Sequence, residues 1–340
     1  MGVKKKLATK LLGAVVPKFY GGILKKEREL AAGLTEGGKV GAVLAAVDSP
    51  SRFEIPLEYV KFARRGGSPS MMRRRLVKFM AGSIRGIKAS FRELANNPER
   101  QKREMDGDER RELEQFCHEV GVAEVAFGRV SPELVFSGRG VMFPNAVVLS
   151  WEMDRDEIEK APSEDTLVEV QRTYRDLGRA ANEVARFLRE QGFGAQAIHP
   201  LGGTILTIPL AARAGMGAVG RQGLLVTPRF GPRVRLAAVL TSAENLPVPD
   251  PGDATAENRW ISNFCSRCGL CAKKCPGRAV LEQPKAGPNG RLTHIHVDRC
   301  FPVFAEQFGC SVCIKVCPFS RRAPNFGERL RRRGKTRTRG

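Results

Sequence analysis

No stretch of eighteen uncharged apolar residues occurs in this 340-residue chain, so nothing in it reads as a membrane span. A secretory leader is missing as well. Residues 11–16 (LLGAVV) follow a basic start, but the run is too short. Pro17, Lys18, Lys25 and Lys26 come next without a small-residue cleavage site. The first thirty residues hold no twin-arginine pair. The expected compartment is therefore the cytoplasm, where nine cysteines are expected as thiolate ligands and not as disulfides.

Acidic residues are scarce at both ends. Residues 1–105 carry 23 Lys and Arg against 9 Asp and Glu, and residues 319–340 carry 9 against 1. The stretch between them holds 25 against 26, so nearly all of the net charge of +21 lies in two basic arms. Such arms suit phosphate, on nucleic acid such as tRNA or on an anionic inner-membrane surface, or an acidic redox partner. An ordinary solvated surface is the plainer alternative.

Residues 3–30 place Leu7, Leu11, Leu12, Val15, Val16 and Phe19 near one helical face, interrupted by Pro17. A second basic helical stretch is expected over 70–95, and residues 96–108 (NNPERQKREMDGD) read as a domain edge. A compact unit follows, with a helix over 111–120 and strands over 122–130, 145–151 and 233–241. The clearest amphipathic helix runs over 167–189, where Leu167, Val170, Tyr174, Leu177, Ala181, Val184 and Leu188 step by three or four. Mixed strands and helices predict an α/β or α+β sandwich.

Cys265, Cys268, Cys271 and Cys275 stand in C-x2-C-x2-C-x3-C with Pro276 next. This is the bacterial ferredoxin run, in which three closely spaced thiolates wrap one cubane and the fourth serves the other. Cys300, then Cys310, Cys313 and Cys317 with Pro318, repeat the logic with a longer first gap. Cross-ligation then predicts two [4Fe–4S] clusters, one on Cys265, Cys268, Cys271 and Cys317 and one on Cys300, Cys310, Cys313 and Cys275. Zinc ribbons also use CxxC pairs, but the two cysteine–proline endings favour cubanes. Cys117 is expected as a small buried residue. His294 and His296 share one side of a strand, as a surface pair or a metal site.

Residues 209–247 (PLAARAGMGAVGRQGLLVTPRFGPRVRLAAVLTSAENLP) resemble the corresponding segment of corrinoid-dependent reductive dehalogenases and, more distantly, of epoxyqueuosine reductase. The cysteine module matches both families in order and spacing, including the lone Cys300. The resemblance spans about residues 109–320. It implies a nitroreductase-like sandwich followed by a bacterial-ferredoxin-like module with two [4Fe–4S] clusters. It divides the chain into a basic N-terminal extension (1–105), a corrinoid-binding-like α/β domain (106–250), a dicluster domain (251–320) and a basic tail (321–340).

The same resemblance implies that the clusters feed electrons from a redox protein or other low-potential donor to a cobalamin-like corrinoid. Gly202, Gly203, Gly217, Gly220 and Arg221 would approach that corrinoid, with Tyr174 as proton donor and Arg235 as anion stabiliser. The substrate is unknown. Where the dehalogenases carry an asparagine and epoxyqueuosine reductase an aspartate, this chain reads His199-Pro200-Leu201-Gly202-Gly203-Thr204. His199 and Thr204 are the side chains there that could take the acid's place. Two rival readings follow: a tRNA-modifying reductase, and a ferredoxin-like electron carrier that has lost the corrinoid.

Overall fold

The computed structural model describes residues 3–37, 41–70, 73–287, 290–321 and 326; for residues 3–16, 18 and 19 it describes the backbone alone. The predicted apolar face of residues 7–19 and nearly all of the basic tail lie outside the described residues. No helix among the described residues is long and apolar enough to cross a membrane.

A four-stranded antiparallel sheet forms the centre, in the order Glu124–Arg129, Asn145–Glu152, Val234–Thr241, Ala195–Ile198. Strand Asn145–Glu152 pairs along its whole length with Val234–Thr241, from Asn145 opposite Thr241 to Glu152 opposite Val234. Both central strands carry unbroken apolar runs because both sheet faces are covered. Val147, Leu149, Ala237 and Val239 face one core with Leu113, Leu177, Val184 and Leu188. Ala146, Val148, Ala238 and Leu240 face the other, against Val135, Ile205, Leu210 and Ala211.

The helices start where local chemistry dictates. Asp106 caps helix Gly107–Glu119 by accepting from the Asp108 and Glu109 amides, and the Glu109 side chain returns the bond to the Asp106 amide. Ser163 caps helix Glu164–Glu190 through the Thr166 amide. That helix buries Leu167, Val170, Leu177, Ala181, Val184 and Leu188 of the predicted row and leaves Tyr174 half-buried, while Arg179–Glu183 and Arg186–Glu190 pair on its outer side.

Residues before 105, expected as an extension, are built into this body. Helix Val77–Arg92 lies on helix Glu164–Glu190 at close range. Gly82 and Gly86 permit the approach: a Cβ on either would stand within 2.9 Å of Arg175 or 2.8 Å of His199. Helix Val3–Glu36 runs through Pro17 and contributes Glu27, whose side chain is fully buried. Glu27 receives Arg52 at 2.9 Å and Arg139 at 2.7 Å, and the same two arginines reach Glu54 at 3.0 and 3.1 Å. Arg52 also donates to the Gly202 and Gly203 carbonyls at 2.7 and 2.8 Å. Charges that read as a solvated basic arm thus form a closed internal network.

The cysteine-rich part begins where Asp250 caps helix Pro251–Cys268, which ends at Gly269 in the left-handed region (φ 60°). A two-stranded sheet, Val280–Ala286 with Leu292–Ile295, and helix Val297–Glu306 complete it. Buried Arg233 ties it to the sandwich, donating to the Ser320 carbonyl at 3.3 Å and to Glu152 at 2.7 Å.

Candidate functional site

Eight cysteines lie close together. Cys265, Cys268, Cys271 and Cys317 line one pocket with Gln222, Phe264 and Phe319. Cys300 stands within electrostatic reach of Cys275 and Cys310, and Cys313 within reach of Cys310, Cys300, Cys271 and Cys275. Cysteines from both halves of the module are thus neighbours in space.

The surroundings suit clusters. Amides of Ala272, Val312, Phe319 and Ser320 aim at the sulfurs of Cys271, Cys310 and Cys317, and the Ala279 amide meets Cys275 Sγ at 3.3 Å. Cys310 and Ser311 adopt positive φ (47° and 62°), a strained turn of the kind kept at ligand loops. Gln222 Nε2, buried on the first pocket, has no protein partner and is a donor available to a cluster. Burial pushes Cys271 and Cys300 up to about 11 and Cys317 up to about 12. The bare thiols are therefore protonated, and the charge of bound iron must draw the protons off. Among the described residues no three His, Cys, Asp or Glu side chains close on a point that could hold a single metal ion.

Tyr174 and Arg235, predicted from separate elements, meet. Arg235 Cζ lies 4.6 Å from the Tyr174 ring centroid, and its buried Nε has no hydrogen-bond partner. Tyr174, Leu224 and Cys313, a cysteine of the second predicted quartet, all pack against one buried apolar cluster of Met153, Ile158, Val170 and Ile314. Tyr59 closes this site from helix Ile55–Arg64. It is 3% exposed, and its hydroxyl has no partner. Burial, then the neighbouring Tyr174, holds its pKa far above the ordinary phenol value. Its ring meets Phe301 at 5.4 Å and Phe304 at 6.1 Å, on the helix that carries Cys300. Sequence reasoning missed Tyr59 because no motif surrounds it. The scarcity of tyrosine, three in the chain, is the one signal that could have drawn notice.

The five residues expected to approach a corrinoid fall in two places. The carbonyls of Gly202 and Gly203 receive Arg52, and both residues line a narrow pocket with Ile87 and His199. Gly217, Gly220 and Arg221 line a different pocket of about 380 Å³ with Ser262, Cys265 and His294. Tyr174 and Arg235 wall neither. Gly217 is needed because a Cβ would come within 2.2 Å of the Val226 carbonyl, and Arg221 donates to the Cys265 and Ser266 carbonyls at 3.2 and 2.7 Å. These residues serve the fold of the cluster loop and do not make one corrinoid cradle.

His199 is buried between Gly86 and Gly178, with Nε2 3.0 Å from Asn182 Oδ1. Burial lowers its pKa to about 4, so it stays neutral. Thr204 is buried with an unpartnered hydroxyl. His294 Nδ1 lies 3.2 Å from the Arg221 carbonyl, and the His296 backbone leads into the Cys300 helix, so the pair is structural here. Cys117 is buried, as expected.

A mixed helix-and-sheet sandwich joined to a cysteine-rich part is the frame in which the comparisons fall. Tetrachloroethene reductive dehalogenase of Desulfitobacterium hafniense is 31% identical over 191 residues, which are 52% of this chain and 33% of that protein. Epoxyqueuosine reductase of Listeria monocytogenes is 29% identical over 126 residues, 35% of this chain and 31% of that protein. The chain is similar in sequence to both reductive dehalogenases and epoxyqueuosine reductases. It spans about a third of the length of these relatives. The solved catabolic reductive dehalogenase NpRdhA, in complex with 3-bromo-4-hydroxybenzoic acid, shares the fold. Its TM-score is 0.62 at 20% identity, over 82% of this chain and 41% of that one. No family model matches the chain.

Proposed function

We propose that the chain is an iron–sulfur oxidoreductase of the reductive dehalogenase type, with two [4Fe–4S] clusters that deliver single electrons to a substrate site at Tyr174 and Arg235. The observation that carries this reading is that Cys313, a second-quartet residue, packs against the same small apolar cluster as Tyr174, whose ring Arg235 covers. Cys265, Cys268, Cys271 and Cys317 would hold the first cluster, and Cys275, Cys300, Cys310 and Cys313 the second. Bound clusters supply one-electron steps at low potential.

This chain's own residues supply the rest. Arg235 offers an unspent N–H and a permanent charge to an anionic leaving group or oxyanion. Tyr174 has a hydroxyl beside it that can give up a proton. Two electrons and one proton would replace a leaving anion by hydrogen, and the anion departs toward Arg235. Tyr59, Phe301 and Phe304 keep water from that side. The corrinoid expected from the resemblance does not fit a single cradle of the five residues named for it, so no step is routed through one.

Anaerobic reconstitution with iron, sulfide and a cobalamin tests the reading. About eight irons per chain are expected from two cubanes. Fewer than about four would remove the dicluster assignment. Retained cobalt with a base-off spectrum would restore the corrinoid, and none would leave electron delivery to Tyr174 and Arg235 as the chemistry. Tyr174→Phe should slow turnover by roughly 10²-fold or more if the phenol delivers the proton, at unchanged iron content. Full turnover in that variant would take Tyr174 out of the mechanism.

A further inference from the structure

The first quartet receives a hairpin from the sandwich. Strands Ala218–Val219 and Leu225–Val226 pair antiparallel. The tip between them closes with the Gly223 amide on the Gly220 carbonyl at 2.9 Å and the Gly220 amide on the Leu224 carbonyl at 2.8 Å. Gly223 takes positive φ (79°), as so tight a tip requires. Arg221 fastens the tip to the cysteine loop through the Cys265 and Ser266 carbonyls, and His294 Nδ1 lies 3.2 Å from the Arg221 carbonyl. The Arg221 amide aims at Cys265 Sγ, and its charge is felt at Cys265 and Cys271. Gln222 comes next, on the pocket that Cys265, Cys268, Cys271 and Cys317 line. It is 6% exposed, and its buried Nε2 has no hydrogen-bond partner. Gly220 makes room for it, because a Cβ there would stand 2.7 Å from Gln222 Oε1.

The second quartet's partners differ. Its thiols also receive main-chain amides, Ala279 at Cys275 and Val312 at Cys310. The charges felt at Cys300 and Cys310, however, are those of other cysteines. A buried amide with a spare N–H costs stability unless something accepts it, and cluster sulfur is the acceptor that this pocket's chemistry would supply. We propose that Arg221 and Gln222 set the reduction potential of the first-quartet cluster above that of the second, Gln222 by donating to a cluster sulfur and Arg221 by its charge. This rests on the reading that the quartets hold clusters. Reduction adds one electron to the cluster, with no bond made or broken and no proton moved. A donor and a cation beside the sulfurs favour the form with the added negative charge.

Redox titration of the reconstituted full chain, followed by electron paramagnetic resonance, tests this. Two one-electron midpoints are expected, with the higher one missing in Cys268→Ser and the lower one missing in Cys313→Ser. Gln222→Met keeps the length of the side chain and removes the donor. It should favour the oxidised first cluster about tenfold, a fall of about 59 mV in its midpoint, at unchanged iron content. Gln222→Leu, of different shape and equally without a donor, should give the same fall, which separates a lost hydrogen bond from repacking. The shift should persist when Cys313→Ser is added and vanish when Cys268→Ser is added. Unmoved midpoints at full iron content, a shift that survives Cys268→Ser, or a first-cluster midpoint below the second would overturn the assignment. Chains that take up no iron would instead sink the cluster reading beneath it.

Discussion

The two quartets are made of the same loops and differ in what packs beside them. One lines a pocket with Gln222, Phe264 and Phe319, with half-exposed Leu270 on its rim. The other includes Cys300, on the helix whose Phe301 receives Phe53, Tyr59 and Phe62 from the N-terminal segment. Thiol spacing alone makes them near copies, so the difference comes from what the remaining chain packs beside each. The second quartet's neighbours include residues that the sequence marks as a basic appendage.

Removing one ligand from each quartet should break the symmetry most sharply. Cys268→Ser and Cys313→Ser should each cost about four irons per chain, by iron analysis. Each variant should keep the other cluster reducible by a small viologen. Cys313→Ser, beside the Tyr174 cluster, should lose product formation. Product formed at the parent rate in Cys313→Ser would remove the second quartet from the path to Tyr174.

The packing beside the second quartet can be loosened without touching a cysteine. Glu27→Gln leaves Arg52 and Arg139 buried with half their compensation gone, a change of about 3–5 kcal/mol for an internal network. Thermal unfolding should move down accordingly. Iron loss to a chelator should accelerate at the second quartet and stay level at the first. Equal acceleration at both would mean that the N-terminal segment does not support one in preference to the other.

A smaller effect comes from His199, which joins helices Val77–Arg92 and Glu164–Glu190 behind the same segment. Its folded pKa, about 4, lies below the ordinary 6.5 because burial penalises the charged ring. The unfolded chain therefore takes up the proton first as pH falls. The stability is fully present above pH 6.5 and is lost progressively down to about pH 4, by about 3 kcal/mol. His199→Gln should flatten that stretch of a denaturation-versus-pH profile. An unchanged slope would show that the ring is protonated in the folded chain.

Much of this was legible because apolar pattern and thiol spacing are local signals. Residues 145–151 read as a buried strand since positions 146–149 are apolar without a break, and both sheet faces are covered. The cysteine loops read because four sulfurs of one cubane demand short, fixed gaps. Glu27, Arg52 and Arg139 did not, since a charge pair separated by 112 positions has no local signature and lone charges read as solvated. The glycines at 202, 203, 217 and 220 misled for a related reason. A glycine states that something comes close, and at Gly217 it is the chain's own Val226 carbonyl. His199 stood in a motif position, yet its ring fills the space left by Gly86 and Gly178.

Tyr59 separates the roles of ring and hydroxyl beside the second quartet. Its ring packs on Phe301 and Phe304, while its hydroxyl is buried without a partner, a condition that costs about 1–3 kcal/mol. Tyr59→Phe keeps the packing and removes the unpaired group, so the chain should gain about 1 kcal/mol in denaturant unfolding. If the hydroxyl serves the substrate at Tyr174 and Arg235, the gain comes with slower turnover at unchanged iron content. Tyr59→Ala strips the cover itself and should lose about 3–5 kcal/mol, the range for deleting a buried aromatic ring. A Tyr59→Phe variant less stable than the parent would show that the hydroxyl is bonded in the folded protein. The second quartet would then be enclosed by a hydrogen-bonded wall and not by aromatic packing alone.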